Sequence, residues 1–273
     1  MEKPTSKIIM ELFESRGWPC DQSDYSMYNR FCNTYNSLES ADNKAIFLKI
    51  ASCINCVNLQ EYELLTILLL KEIVNRYPNQ NNVCIAPMKN DRKTVSSSEF
   101  VSYFCKSKSV YYNEWLAKKG VFVYGVGNSF TNFENKLLFL VDDYIGSGTT
   151  AKKAVEYYSK KKGLQKENII LCSFFASNVF LKSSYYKDNK DKIIFLFNDK
   201  TAKELFNEQD YNILEKDIHF HLNSPPDNRL GYDNIGSLIT LIRTPNNSLP
   251  ILWKEYKKGR NAFSAPFPRK RDQ

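Results

Sequence analysis

The most chemically suggestive stretch of the sequence is residues 137–150, LLFLVDDYIGSGTT, which places two adjacent carboxylates before a loop of small residues. The apolar run at 137–141 is typical of a buried strand, and Asp142 and Asp143 follow it directly. Carboxylates accept hydrogen bonds from vicinal hydroxyl groups. These two aspartates, called the acid pair below, are therefore suited to holding a sugar. An ordinary Asp-Asp strand end is the alternative.

The loop that follows has the composition of an anion site. A helix is predicted at about 149–162, and the first turn of a helix leaves backbone N–H groups without intrahelical partners. Glycines let the backbone approach an anion closely, and hydroxyl side chains add donors. The loop matches neither GxxxxGK[ST] nor GxGxxG, and the acids ahead of it favour a sugar phosphate. We call it the glycine loop, and its members are Gly146, Ser147, Gly148, Thr149 and Thr150.

The acid pair and the glycine loop can act together only in a fold that brings strand ends and helix starts to the same edge of a sheet. Beyond residue 82, runs rich in Val, Ile, Leu and Phe alternate with helical stretches. Nearly continuous apolar strands separated by helices predict an α/β fold, a doubly wound and mainly parallel sheet. Open sheets of this kind bind ligands at the carboxyl ends of their strands. The predicted strands lie at 83–86, 121–124, 137–141, 169–175 and 193–197.

The remainder of the chain differs in pattern. Residues 6–78 show helical periodicity, and the C-terminus is rich in Lys and Arg. We predict a helical N-terminal subdomain at 1–80, an α/β domain at 81–253 and a basic tail at 254–273. Core packing accounts for nearly every apolar residue of the N-terminal helices, so we assign them scaffolding or partner contact and no chemistry.

Composition limits the class of protein. The net charge of +8 permits a polyanionic partner, and the basic tail is either a solvated segment or a nucleic-acid contact. Seven cysteines without an export signal predict reduced thiols and a cytoplasmic protein, and no apolar run approaches the roughly 20 residues of a membrane span. Cys53 and Cys56 have the spacing of half a zinc site, but packing in a helix explains them as well.

The stretch VDDYIGSGTT resembles the phosphoribosyl pyrophosphate signature of type I phosphoribosyltransferases. It departs from that signature at Gly146, where many members have Thr. The resemblance implies that Asp142 and Asp143 hold the ribose 2′- and 3′-hydroxyls as catalytic residues, and that the rest of the glycine loop holds the 5′-phosphate.

The resemblance also implies a second loop, for diphosphate, after the first strand of the core. The sequence there is MKNDRKTVSSSEF, with Lys89, Arg92 and Lys93 ahead of a predicted helix start. Cations beside unpaired helix N–H groups suit a diphosphate, and a solvated charged loop is the alternative. Mg²⁺ is the implied cofactor, bound through the diphosphate, with Asp142 and Asp143 as possible ligands.

A third segment, LGYDNIGSLITLIRTPNNSLPILW, resembles the C-terminal signature of phosphoribosyltransferase-like proteins of bacterial conflict systems, as does GLQKENIILCSFFAS. Some of those proteins are encoded beside retron reverse transcriptases as antiphage effectors. The resemblance implies phosphoribosyl pyrophosphate or a nucleotide as ligand, and nucleic acid or a reverse-transcriptase complex as partner of the basic surface. Candidate base contacts are Tyr232, Arg243, Asn246 and Asn247, with a locally bonded turn as the alternative.

Two functions follow from these features. One is an enzyme that transfers or hydrolyses at ribose C1 by stabilising an oxocarbenium-like centre, acting as an antiphage effector. The other is a non-catalytic protein that senses a nucleotide and assembles with a protein or nucleic acid. An intact diphosphate loop favours the enzyme.

Overall fold

The computed structural model describes residues 5–78, 83–89, 96–112, 121–122, 137–162, 164–215, 229–258 and 261–269. Contacts divide the chain into two compact units. One, the split unit, consists of Met1–Cys56 and Lys200–Gln273, and the other, the sheet unit, is Val57–Asp199.

The helices and strands alternate along the sheet unit as the sequence predicts. The first segment of the split unit contains α1 (Thr5–Arg16), α2 (Met27–Ser37), α3 (Ala41–Cys53) and β1 (Asn55–Cys56). The sheet unit contains α4 (Leu59–Arg76), β2 (Val83–Pro87), α5 (Ser97–Tyr112), β3 (Val121–Phe122), β4 (Leu137–Ile145), α6 (Thr149–Lys162), β5 (Ile169–Ser177), α7 (Asn178–Lys182), α8 (Ser184–Asn189) and β6 (Ile193–Asp199). The split unit then adds α9 (Ala202–Leu205), α10 (Glu208–Ile213), β7 (Ile239–Thr240), α11 (Pro250–Trp253), β8 (Tyr256–Lys258) and β9 (Asn261–Phe263).

The sheet has the strand order β3-β2-β4-β5-β6, and every neighbouring pair is parallel. The predicted α/β fold with a parallel sheet is therefore confirmed. From β2 the chain first moves outward to β3 and then returns to the other side of β2 to form β4. The direction of winding thus reverses between β2 and β4, which makes this gap the topological switch point.

Both faces of the sheet are covered by helices. Leu138 and Leu140 of β4 share an apolar cluster with Ala154 and Tyr158 of α6. The intervening side chains of a strand point to the opposite face, and there α4 and α5 pack against the sheet. This two-sided cover explains why the strands are apolar along nearly their whole length.

Strand β4 is longer than predicted. The sequence suggests an end at residue 141, but β4 continues through Ile145 because β5 offers a partner as far as Ile145↔Ala176. On the other side, pairing with β2 ends at Pro87↔Val141, followed by a last hydrogen bond from Met88 N to Val141 O of 2.9 Å. Residues 142–145 therefore extend past the paired part of β2, at the switch point.

The compact units do not coincide with the predicted division at residues 80 and 253. Helix α4 belongs to the sheet unit, where it packs on α5, β5 and β6. Residues 200–273 join the N-terminal helices, and parallel pairing of β1 with β7 links the two segments of the split unit. Helical periodicity identifies α4 as a helix, but it does not specify which surface that helix covers.

An aromatic cluster forms the centre of the split unit. The ring of Phe31 lies 5.2 Å from that of Phe13, and 5.6 Å from those of Phe47 and Phe267, measured between centroids. The rings of Phe13 and Phe267 meet that of Phe31 edge-on and the ring of Phe47 is tilted against it, and such ring pairs stabilise a core beyond the area that they bury. Phe267 thus packs against rings of the N-terminal helices, in a core that also contains buried residues between Ala202 and Leu252.

The predictions about Cys53 and Cys56 and about membrane spans can be compared with the residues that the structure describes. Cys53 is exposed and Cys56 half-buried, and neither forms a disulfide. Among the described side chains, no group of three or more His, Cys, Asp or Glu is placed to hold a metal ion. No described helix has both the length and the apolar character needed to cross a membrane.

We expect Leu140→Ala to destabilise the protein by about 2–5 kcal/mol, because Leu140 is fully buried in β4 and its loss leaves a cavity. Unfolding in urea measures the change. Leu64→Ala is the matched control, since Leu64 lies on α4 of the same unit with 57% of its surface exposed and should change stability by no more than about 0.5 kcal/mol. Equal losses for the two variants would contradict the two-sided cover of the sheet.

Candidate functional site

The candidate site lies where β4 extends past β2 at the switch point. This overhang carries the acid pair, and the glycine loop follows it at the start of α6. The carboxyl end of β2 leads to Lys89 on the other side of the same gap. A single stretch of chain therefore brings two carboxylates and a helix N-terminus to the position where open α/β sheets bind ligands.

The acid pair is buried and already hydrogen-bonded. Asp142 is 7% exposed and Asp143 is 3% exposed. Asp143 accepts hydrogen bonds from the Tyr62 hydroxyl at Oδ2 (2.8 Å) and from the Ser97 hydroxyl at Oδ1 (2.9 Å). Ser97 also approaches Asp142 Oδ1 at 3.3 Å, and the backbone N–H of Asp143 donates to that oxygen at 2.9 Å. Hydroxyl and amide donors thus surround the two carboxylates.

Burial dominates the electrostatics of the pair. It raises the pKa of Asp142 well above its ordinary value, and the nearby charge of Asp143 raises it further. Burial also raises the pKa of Asp143, while the hydroxyls of Tyr62 and Ser97 oppose that rise by stabilising the ionised form. Both carboxyl groups therefore bind a proton more readily than an exposed aspartate does, with burial as the main cause.

Residues of β5 and α7 hold the glycine loop in place. The Ser177 hydroxyl donates to the carbonyl oxygen of Gly146 at 2.6 Å and also caps α7 by accepting from the N–H of Phe180 at 3.0 Å. Gly148 has φ of +80°, and a Cβ added there would lie 2.6 Å from the ring of Phe180. Only glycine fits this position, both in backbone conformation and in space.

The hydroxyl groups of the loop lie on its more accessible side. Ser147 and Thr149 are half-buried, and Thr150 is exposed. The Ser147 and Thr149 hydroxyls are 2.9 Å apart and hydrogen-bonded to each other. Helix α6 begins at Thr149 and runs for 14 residues, so its positive N-terminal end adds to the attraction of the loop for an anion.

The predicted diphosphate loop is described only in part. Lys89 is buried, with 5% of its side chain exposed, and its Nζ lies 3.1 Å from Glu99 Oε1. Glu99 Oε2 accepts from the N–H of Ser96 at 3.1 Å, just ahead of α5. The ion pair with Glu99 therefore holds the Lys89 side chain in place at the switch point. Arg92 and Lys93 lie outside the described residues.

The four candidate base contacts lie in the split unit, whereas the acid pair and glycine loop lie in the sheet unit. Hydrogen bonds link three of them across two separate segments: the N–H of Tyr232 donates to Asn246 O at 2.8 Å, and Asn247 Nδ2 donates to Tyr232 O at 3.1 Å. Asn247 is 8% exposed and Tyr232 is 42% exposed. Arg243 is half-buried. The roles of these four residues as base contacts remain a prediction.

Two residues of the site were not predicted from the sequence. Tyr62 lies in the apolar pattern of α4, where a tyrosine is indistinguishable from an ordinary core residue. Ser97 belongs to the run Ser96-Ser-Ser98, which indicates a helix start but not which hydroxyl turns toward a carboxylate. The one available signal was the position of this run directly after the predicted diphosphate loop.

We expect Gly148→Ala to destabilise the protein by about 2–4 kcal/mol, because the left-handed backbone and the Phe180 ring both oppose a methyl group. Gly17→Ala is the control: Gly17 has φ of +64°, but an added Cβ there meets no atom within 4 Å. Gly17→Ala should destabilise the protein only through its left-handed backbone conformation, by about 1–2 kcal/mol. Denaturant unfolding of both variants measures the difference, and equal losses would contradict the contact with Phe180.

The pKa of Asp142 predicts how stability changes with pH. Its pKa is raised in the folded protein, so the folded state holds the proton more tightly than the unfolded chain, in which Asp titrates near about 3.9. The resulting stability is complete below that pH and is lost as pH rises through the raised pKa. We expect Asp142→Asn, which resembles the protonated acid, to be more stable than wild type near neutral pH, with the difference vanishing toward about pH 4.

Urea unfolding at a series of pH values measures this difference. The control is Asp188→Asn, at an exposed position of the sheet unit, which should follow the wild-type profile. An advantage of Asp142→Asn that stays constant with pH would show that the buried charge is not its cause.

The fold is similar to that of solved structures that share little sequence with it. Helicobacter pylori xanthine-guanine-hypoxanthine phosphoribosyltransferase aligns at 14% identity over 53% of this chain and 86% of that one, with a TM-score of 0.35. APRTase from Giardia lamblia, complexed with 9-deazaadenine, aligns at 11% identity over 50% of this chain and 78% of that one, with a TM-score of 0.33. The AQ2163 protein from Aquifex aeolicus aligns at 11% identity over 67% and 89%, with a TM-score of 0.35. At these TM-scores the fold assignment rests on the strand order and register above.

The search of curated proteins found no match. The family model PRTase-CE, by contrast, matches residues 47–269. That range includes the acid pair, the glycine loop and most of both compact units. The chain therefore belongs to the PRTase-CE family, the phosphoribosyltransferase-like proteins of conflict systems.

Proposed function

We propose that the sheet unit binds the ribose 5-phosphate part of phosphoribosyl pyrophosphate or of a nucleotide. In this proposal the acid pair holds the ribose hydroxyls and the glycine loop holds the 5′-phosphate. The observation that carries it is the overhang of β4 beyond β2, which puts the acid pair and the start of α6 at the switch point of the sheet.

The chemistry of the acid pair supports a sugar ligand. Asp143 already accepts two hydroxyl hydrogen bonds, at 2.8 and 2.9 Å, which are the bonds that a diol would make. The geometry of the glycine loop supports a phosphate, because its backbone is held by Ser177 and Phe180 while its hydroxyl side chains remain accessible. Each half of the proposed site thus offers the donors or acceptors that its part of the ligand requires.

The proposed reaction is transfer or hydrolysis at ribose C1. The bond from C1 to its leaving group breaks, C1 gains oxocarbenium character, and an acceptor or water then forms the new bond. A buried carboxylate near that centre stabilises positive charge more effectively than one in water, because the surroundings screen it less. Asp143, whose carboxyl group accepts hydrogen bonds from Tyr62 and Ser97, is the residue to which we assign this electrostatic role, with Asp142 orienting the sugar.

The described residues are compatible with Mg²⁺ bound mainly through the diphosphate. Mg²⁺ is commonly held by one or two carboxylates together with substrate phosphates. The metal would be held mainly by the diphosphate, whose charge it would neutralise, with Asp142 and Asp143 as possible protein ligands.

Family membership supports a role in conflict between bacteria and their invaders. We propose that the chain acts as an antiphage effector and that retron components, either nucleic acid or a reverse-transcriptase complex, are its partners. The excess of basic residues, with a net charge of +8, supports a polyanionic partner. The described part of the basic C-terminal segment also contributes to the fold, because Arg269 donates to Thr244 O at 3.1 Å.

Incubation of the pure protein with Mg²⁺ and phosphoribosyl pyrophosphate, or with nucleotides, tests the proposed reaction. We expect release of diphosphate or of a free base, and a fall of at least about 100-fold in the Asp142→Asn/Asp143→Asn double variant, because the charge opposite the reacting centre is lost. The exposed Asp188→Asn serves as the control and should retain the wild-type rate.

Calorimetry with the same ligands separates the two functions. Binding by the wild type, abolished in the double variant and unaccompanied by turnover, would support nucleotide sensing in place of catalysis. Absence of both binding and turnover in the wild type would overturn the proposed ribose 5-phosphate site.

A further inference from the structure

We infer that Ser97 is a specificity-determining residue of the acid pair, whose hydroxyl occupies the place of one ligand hydroxyl and is exchanged for it on binding. This inference rests on the proposed ribose 5-phosphate site and adds a role for a residue outside the predicted set. The carboxylates are satisfied before any sugar arrives, so binding replaces hydrogen bonds rather than creating them.

The two hydroxyls on Asp143 differ in how freely they can leave. Tyr62 is fully buried, and its ring packs edge-on against Phe174 of β5 at 5.4 Å and against Phe100 of α5 at 6.2 Å. Moving its hydroxyl would require the ring to leave that packing. Tyr62 therefore stays as a positioning residue that holds Asp143 Oδ2.

Among the described residues, no ring packing of this kind restrains Ser97. It is the first residue of α5 and is half-buried, and rotation about one side-chain bond moves its hydroxyl away. Its oxygen lies 2.9 Å from Asp143 Oδ1 and 3.3 Å from Asp142 Oδ1, so it bridges the two acids. A serine hydroxyl has one hydrogen to donate, and this bridging position is where a sugar hydroxyl would serve both carboxylates.

This exchange has a consequence for discrimination between sugars. A deoxy sugar that lacks the matching hydroxyl leaves Ser97 in place, so the wild-type carboxylates remain satisfied. Without the Ser97 hydroxyl, the same deoxy sugar leaves a buried carboxylate oxygen without its donor, which is unfavourable. Loss of Ser97 should therefore sharpen the preference for a ribo sugar, whereas a residue that only contacts the sugar would weaken that preference when removed.

Calorimetry with ribose 5-phosphate and its 2-deoxy and 3-deoxy analogues tests the inference. In Ser97→Ala we expect the preference for ribose 5-phosphate over one of the two analogues to rise about tenfold above the wild-type value. Ribose 5-phosphate itself should bind the variant at least as tightly as the wild type, because no protein hydroxyl has to be displaced. Ser97→Thr keeps the hydroxyl and should keep the wild-type preference.

Ser107→Ala is the matched control, since Ser107 lies on the same helix and donates to Phe104 O at 3.2 Å. It should leave both preferences unchanged. If the wild type binds ribose 5-phosphate and Ser97→Ala leaves both preferences unchanged or lowers them, the role of Ser97 is wrong while the proposed site stands. If the wild type does not bind ribose 5-phosphate at all, the site and the inference fail together.

Discussion

The hydrogen bonding of two adjacent, buried carboxylates is the constraint on which the sheet unit depends. A buried carboxylate without donors is strongly unfavourable, so Asp142 and Asp143 require hydroxyl or amide groups from elsewhere in the fold. Tyr62 of α4 and Ser97 of α5 supply the hydroxyls, and the backbone of Asp143 supplies an amide. The packing of both helices on one face of the sheet therefore supplies hydrogen-bond donors to the two carboxylates and also buries β4.

That constraint accounts for the place of α4 in the fold. A helix that supplies a hydroxyl to the centre of the site has to pack on the sheet, and α4 does so through Tyr62, whose ring rests on Phe174. The capping box of Asn58 and Glu61 fixes where α4 begins and thereby the angular position of Tyr62 on it. The capping box sets where α4 begins, and the resulting position of Tyr62 on the helix is the one from which its hydroxyl reaches Asp143.

Much of the fold and part of the site could be predicted from the sequence because they depend on local patterns. The apolar runs identify the buried strands, and the acids and glycines beside them identify an edge where an anion could bind. The hydroxyls of Tyr62 and Ser97 could not be predicted, since their roles depend on how α4 and α5 pack. The end of β4 was misplaced for a related reason: residues 142–145 look irregular in sequence, and their pairing with β5 makes them a strand. The roles of Arg92 and Lys93 remain predictions.

The discontinuity of the split unit affects how the chain is made. The sheet unit is one uninterrupted segment, so all its strands have been synthesised before Lys200 is added. The N-terminal helices, though synthesised first, have to wait for β7 and Phe267, because β1 pairs with β7 and Phe267 packs on Phe31. Nascent chains thus carry an incomplete aromatic cluster until Phe267 has been synthesised, whereas every strand of the sheet unit is made before the second segment of the split unit.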